Sequence, residues 1–206
     1  MDHSSPSARL RLADLVAVVT GSTRGIGEGI VRRFVQEGAQ VVFSGRSHEK
    51  GKALEEELSP NVAFCRADAA SAADTEALMN SVVKRFGRLD CVVNNAGVGG
   101  EGGPIAGMSV EGFNQSIALL LGGTFLGIKY SVPHLQSGGT IINIASVASL
   151  IGGYGSHAYT AAKFGVVGLT KSVALELAER GIRVNGHLCW RSCYRDLCPG
   201  SRGNLA

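Results

Sequence analysis

The chain has 206 residues, a net charge of +3, and 45% hydrophobic against 18% charged residues. That is the length of one domain able to bury a sizeable core, and the balance is too apolar for intrinsic disorder. No basic run exceeds two residues, which argues against a nucleic-acid partner. The longest apolar runs, about 5–6 residues, fall short of the ~20 needed to span a bilayer. Residues 1–11 carry Asp2, His3 and several serines with no apolar leader, so they read as an N-terminal tail of a cytoplasmic protein. Glycine is abundant, 29 residues where ~7% of a chain is usual, which points to close backbone approaches.

Leu15 to Val19 is a β-branched run without polar alternation, the pattern of a strand buried on both faces. Gly21, Gly25 and Gly27 follow it, then a helical pattern that Gly38 stops. Val41 to Phe43 reads as a second buried strand, 48–58 as a short polar helix, and Val62 to Cys65 as a third strand. Ala72 to Phe86 is helical in period and Leu89 to Val93 a fourth strand. A glycine-rich loop runs from Gly97 to Gly107, and Gly99 to Gly107 reads either as a mobile loop flanking the active site or as an ordinary flexible connection. Residues 111–135 read as one long helix, Thr140 to Ile144 as a fifth strand, Tyr159 to Glu179 as another long helix, and Ile182 to Val184 as a sixth strand. Alternating strand and helix predicts a doubly wound parallel α/β domain over 12–185, with ligands at the carboxyl ends of its strands.

The segment Thr20-Gly21-Ser22-Thr23-Arg24-Gly25-Ile26-Gly27 lies between a strand and a helix. Its G-x-x-x-G-x-G spacing lets the backbone turn and approach a pyrophosphate, with a helix N-terminus aimed at the charge. Tyr159 and Lys163 sit at i and i+4, on one helix face, with Cβ atoms about 5–6 Å apart. A phenol is a weak base at neutral pH, and a neighbouring cation favours the phenolate.

These motifs resemble the short-chain dehydrogenase/reductase family. The glycine loop is followed in order by Asn94-Asn95-Ala96-Gly97, by Ser146, by Tyr159-Thr160-Ala161-Ala162-Lys163, and by Arg183-Val184-Asn185. The resemblance covers about Leu12 to Asn185 and implies a Rossmann-type α/β/α sandwich. It implies an oxidoreductase moving hydride between a nicotinamide cofactor and a secondary alcohol or ketone. Ser146 would orient the carbonyl oxygen, Tyr159 would act as acid and base, and Lys163 would also hold the nicotinamide ribose. Gly21, Thr23, Arg24, Gly25, Ile26, Gly27, Asn95, Ala96 and Gly97 would line the cofactor, and the family commonly pairs its long helices into homodimers or homotetramers. An NAD site usually has an acid at the end of the second strand. Here Gly45 and Arg46 stand there, and with Arg24 they favour NADP(H) over NAD(H). Asp68 resembles the family's residue beside the adenine amino group, or else is an acid before a helix N-terminus.

Two departures stand out. Leu120 occupies the place where the family usually has an asparagine in its Lys–water relay. After Asn185, residues 186–206 show no strand or helix period and hold the only Trp and three of the five Cys. That tail is expected to be irregular, the product of a truncated or shifted reading frame. The final strand and the substrate-covering segment would then be missing, and an impaired, poorly soluble remnant becomes the alternative to an active enzyme. A zinc site from Cys189, Cys193 and Cys198 lacks a clear fourth ligand, so no metal is expected. His157, two residues before Tyr159, is a loop histidine that could also face substrate.

Overall fold

The computed structural model describes residues 10–189. Six strands form one parallel sheet in the order β3-β2-β1-β4-β5-β6. They are β1 (Val16–Val19), β2 (Gln40–Gly45), β3 (Val62–Arg66), β4 (Leu89–Asn94), β5 (Leu135–Ser146) and β6 (Arg183–Cys189). The helices are α1 (Gly25–Gln36), α2 (His48–Leu58), α3 (Ala72–Phe86), α4 (Val110–Ile117), α5 (Gly123–Ser131) and α6 (His157–Leu177). The architecture is the doubly wound α/β sandwich that the strand–helix alternation predicts.

Every residue of β1 is buried because helices cover both faces of the sheet. Val16 and Val18 point to the core under α3, α5 and α6, with Leu78, Val92 and Ile128. Ala17 and Val19 point to the opposite core under α1 and α2, with Val31, Phe43 and Leu54. The chain reverses its direction of winding between β1 and β4, so a crevice opens beyond the carboxyl ends of those two strands.

Serines set most helix starts. Ser47, Ser71, Ser109 and Ser156 accept hydrogen bonds from the first turns of α2, α3, α4 and α6. At α1 the N-cap is Arg24, whose side chain makes no such bond, so the amides there face the crevice without a side-chain acceptor.

Three boundaries differ from the sequence reading. The expected helix 111–135 is divided by a π-turn, Ala118–Gly122, with a 3₁₀ turn at Val132–His134. By length and mean hydropathy Val110–His134 is apolar enough to cross a membrane. Here it packs on α3, β4 and α6 and leaves Phe125 exposed on its other side. β5 begins at Leu135, five residues before Thr140, and bulges before the main ladder with β4 resumes. β6 continues to Cys189, four residues past the boundary drawn at Asn185, paired along its length with β5. The rest of the expected irregular tail, residues 190–206, and residues 1–9 lie outside the described residues.

A polar seam ties the site-bearing elements together inside this apolar core. Asn94 Nδ2 donates to Asn143 Oδ1 (2.8 Å), and Asn143 Nδ2 donates to Thr170 Oγ1 (2.9 Å). The seam therefore links β4, β5 and α6. Gly127 of α5 lies directly over it: a Cβ there would sit 1.9 Å from Asn94 Oδ1. Gly127→Ala should therefore lower stability by about 1–3 kcal/mol, the usual cost of overpacking. Gly29→Ala in α1, where an added Cβ meets nothing within 4 Å, should instead stabilise by about 0.5–1 kcal/mol. Thermal melts of the two variants should shift in opposite directions.

Candidate active site

The glycine loop is shaped by close approach to the end of β4. Gly21 and Gly25 hold φ values of +65° and +66°, a region that favours glycine. A Cβ on Gly21 would lie 2.5 Å from Ala96 Cα, and one on Gly27 2.7 Å from the Gly21 carbonyl. Asn95 Nδ2 donates to the carbonyls of Thr20 (2.9 Å) and Gly21 (3.0 Å). Thr20 Oγ1 accepts from the backbone amides of Asn95 (3.0 Å) and Ala96 (3.1 Å). Asn95 and Ala96, expected to line the cofactor, thus also clamp the loop that would hold it, and Thr20 is the anchor that spacing alone did not single out.

Thr23 decides what can stand at the end of β2. A Cβ on Gly45 would come within 2.7 Å of Thr23 Cγ2. Any side chain at that position would require Thr23 to shift. Arg24 and Arg46 are both exposed, and neither forms an ion pair among the described residues.

Two cavities run along the carboxyl edge of the sheet. The larger, about 950 Å³, is lined by Gly21, Arg24, Gly25, Ile26, Gly27, Asn95 and Gly97, and by Ser146, Tyr159 and Lys163. The smaller, about 540 Å³, contains Arg46 and Asp68. Val98 lines both, so they adjoin. Asp68 Oδ1 also accepts from the Ala70 amide (3.0 Å), closing the turn before α3, so both roles considered for Asp68 have a place. The uncapped N-terminus of α1 beside the cavity that the glycine loop lines suits a dinucleotide pyrophosphate.

Ser146 ends β5. Its Oγ accepts from the Ala148 amide (3.2 Å), and its own amide donates to Ser149 Oγ (3.1 Å), so the hydroxyl proton stays available to the cleft. Tyr159 lies in the first turn of α6, its amide donating to Ser156 Oγ (3.1 Å). Lys163 follows one turn later, with Nζ 5.7 Å from the Tyr159 ring centroid. Lys163 is 5% exposed and donates to the Ile144 carbonyl at 2.5 Å. Burial pushes its ammonium down to about 8, partly opposed by the nearby Cys189. Leu120, fully buried in the π-turn, contributes an apolar wall where a polar relay residue was looked for.

The Gly97–Gly107 loop is held at two points: Ser156 Oγ donates to the Gly99 carbonyl, and Glu101 accepts from the Ser109 amide and hydroxyl. His157 is exposed and does not line the cleft. Cys189, assigned from sequence to the irregular tail, lines the cleft instead. Gly186 and His187 interrupt the strand pattern that would have carried the reading that far. Among the described residues no group of three or more His, Cys, Asp or Glu is placed to hold a metal. Cys193 and Cys198 lie outside them.

Residues 15–189 match the family model for short chain dehydrogenases. The chain is 45% identical to L-fucose dehydrogenase from Oryctolagus cuniculus over 176 residues, 85% of this chain and 62% of that protein. It is 42% identical to (+)-borneol dehydrogenase 2 from Salvia officinalis over 188 residues, covering 89% and 66% of the two chains. A dehydrogenase/reductase from Sinorhizobium meliloti superposes with a TM-score of 0.82 at 33% identity, over 86% of this chain and 72% of that one. The chain thus spans a little under two thirds of the length of these first two relatives. A family match from before β1 to the last residue of β6, on the fold and side chains described above, makes this chain a member of the short chain dehydrogenase family.

Proposed function

We propose that the chain is an NADP(H)-dependent oxidoreductase acting on a secondary alcohol or ketone. The observation that carries the reading is one cleft lined by the glycine loop together with Ser146, Tyr159 and Lys163. The nicotinamide cofactor supplies or accepts the hydride. In the reducing direction the Tyr159 hydroxyl donates its proton to the carbonyl oxygen, and the Ser146 hydroxyl donates a hydrogen bond to the same atom. The Lys163 ammonium beside the ring favours the phenolate that remains. Solvent then returns the proton. The relatives' names, dehydrogenases of L-fucose and of borneol, differ too widely to fix a substrate here. A slower enzyme of the same kind is the second reading, favoured by Leu120, which offers no hydrogen bond to a proton relay.

The cofactor preference follows from Arg24, Arg46 and the closed position at Gly45. Each charged contact to a 2′-phosphate is worth about 1.5–3 kcal/mol. NADPH should bind more tightly than NADH in a fluorescence titration, and Arg46→Asp should weaken NADPH more than NADH. Equal or reversed affinities would sink the preference.

Tyr159→Phe keeps the ring but removes the proton. It should bind NADPH nearly as the parent does and lose carbonyl-dependent oxidation of NADPH. A variant that turns over at the parental rate would remove Tyr159 from the chemistry.

The outer faces of α5 and α6 expose Phe125 (47%) and Phe164 (46%). Large apolar side chains left in water favour burial against another surface. We place a homodimer or homotetramer interface there. Sedimentation should show a species heavier than the 21.4 kDa chain, and Phe125→Glu with Phe164→Glu should shift it to monomer. A stable parental monomer would refute the interface, and recovery only with detergent would indicate a membrane surface instead.

A further inference from the structure

The cleft holds a nucleophile that the proposed reaction does not use. Cys189 is the last residue of β6 and stands in register with Ser146 of β5. Neighbouring strands run about 4.7–4.9 Å apart, and register partners project to one face of a sheet. Both side chains line the larger cavity, together with Tyr159 and Lys163. Cys189 is half-buried, is not in a disulfide, and interacts electrostatically with the Lys163 ammonium.

The other described cysteines lack that setting. Cys91 lies buried in the middle of β4, where burial pushes its thiol up to about 12. Cys65 on β3 is raised by burial and by the charge of Asp74, against a hydrogen bond from Ser81. The thiolate is the reactive form of cysteine, and a neighbouring cation favours it. Arg183 acts on Cys91 as well, but of the three only Cys189 lines the cavity that Lys163, Ser146 and Tyr159 also line.

We propose that Cys189 is a covalent-modification site within the cleft that takes α,β-unsaturated carbonyl compounds by conjugate addition. The inference rests on the carbonyl-binding reading of Ser146 and Tyr159. Their hydroxyls hold the carbonyl oxygen, and the sulfur forms a C–S bond to the β-carbon. The C=C π pair moves toward the oxygen as an enolate, and the proton lost by the thiol ends on the α-carbon. The product is a saturated carbonyl thioether, and neither an oxidant nor a reductant is consumed.

The test uses the full 206-residue chain and cyclohex-2-enone as the probe, followed by trypsin and mass spectrometry. Arg183, Arg191, Arg195 and Arg202 place Cys189, Cys193 and Cys198 in separate peptides. In native protein the Cys189 adduct should form at least about tenfold faster than those of Cys65 and Cys91, and urea should erase the difference. Lys163→Met should slow the Cys189 adduct several-fold in native protein and leave the rate in urea unchanged. Should that variant not fold, Ser146→Ala is expected to slow it for want of the oxyanion donor. An adduct no faster than that of Cys65, or one indifferent to these substitutions, overturns the proposal. NADPH oxidation with cyclohexanone is measured in parallel. Turnover without a selective Cys189 adduct overturns this site alone, whereas a selective adduct without turnover supports it and counts against the oxidoreductase reading.

Discussion

The hydrogen bond from Lys163 to the Ile144 carbonyl joins the fold to its chemistry. An ammonium held at 5% exposure is costly unless a polar partner meets it. The carbonyl at the end of β5 is that partner, and Ser146 stands two residues further along the same strand. On the same face of α6, two turns beyond Lys163, Thr170 accepts from Asn143, the residue just before Ile144. Residues 143–146 therefore fix the height and rotation of α6 at two levels. Tyr159 inherits its place from that docking. The cost remains visible in the lysine: its folded-state value near 8 lies below the ordinary 10.5. Between those values the unfolded chain binds a proton that the folded chain has lost. This group therefore makes stability rise with pH across that window, and below it the burial penalty is fully felt.

The other half of the crevice is built from contact distances rather than charge. Gly21 and Gly27 let the loop lie against Ala96 and Asn95, and the Asn95 amide then satisfies two carbonyls of the turn. The same crowding places Thr23 against Gly45. A side chain at the end of β2 would therefore have to displace Thr23, and Arg24 and Arg46, without ion pairs among the described residues, border the adjoining cavities. The proposed preference for NADP(H) rests on both the crowding at Gly45 and the charges of Arg24 and Arg46.

Features with a strong local cause were legible in the sequence. The continuous apolar runs of β1, β2 and β4 can only be strands buried on both faces, and the serines before α2, α3 and α6 mark their starts within a residue or two. The spacing of Tyr159 and Lys163 translated directly into one helix face. Features set by tertiary contacts were not legible. Nothing in Ala118–Gly122 marks a π-turn, because its extra residue is accommodated by packing against α6. Asn143 reads as one polar residue in an apolar strand until Asn94 and Thr170 are brought beside it. The end of β6 was obscured because Gly186 and His187 lack strand character and are held by tertiary contacts, pairing with Asn143 and Ile144 under α6.

Leu120 and Cys189 are best understood together. Leu120 is fully buried by the π-turn and packs near Gly97, where a Cβ would lie 3.0 Å from Leu120 Cδ2. An apolar wall on that side leaves the Lys163 charge to be met by the Ile144 carbonyl and by the edge of the sheet where Cys189 stands. The proposed proton return to Tyr159 and the proposed reactivity of Cys189 would both depend on the same buried charge.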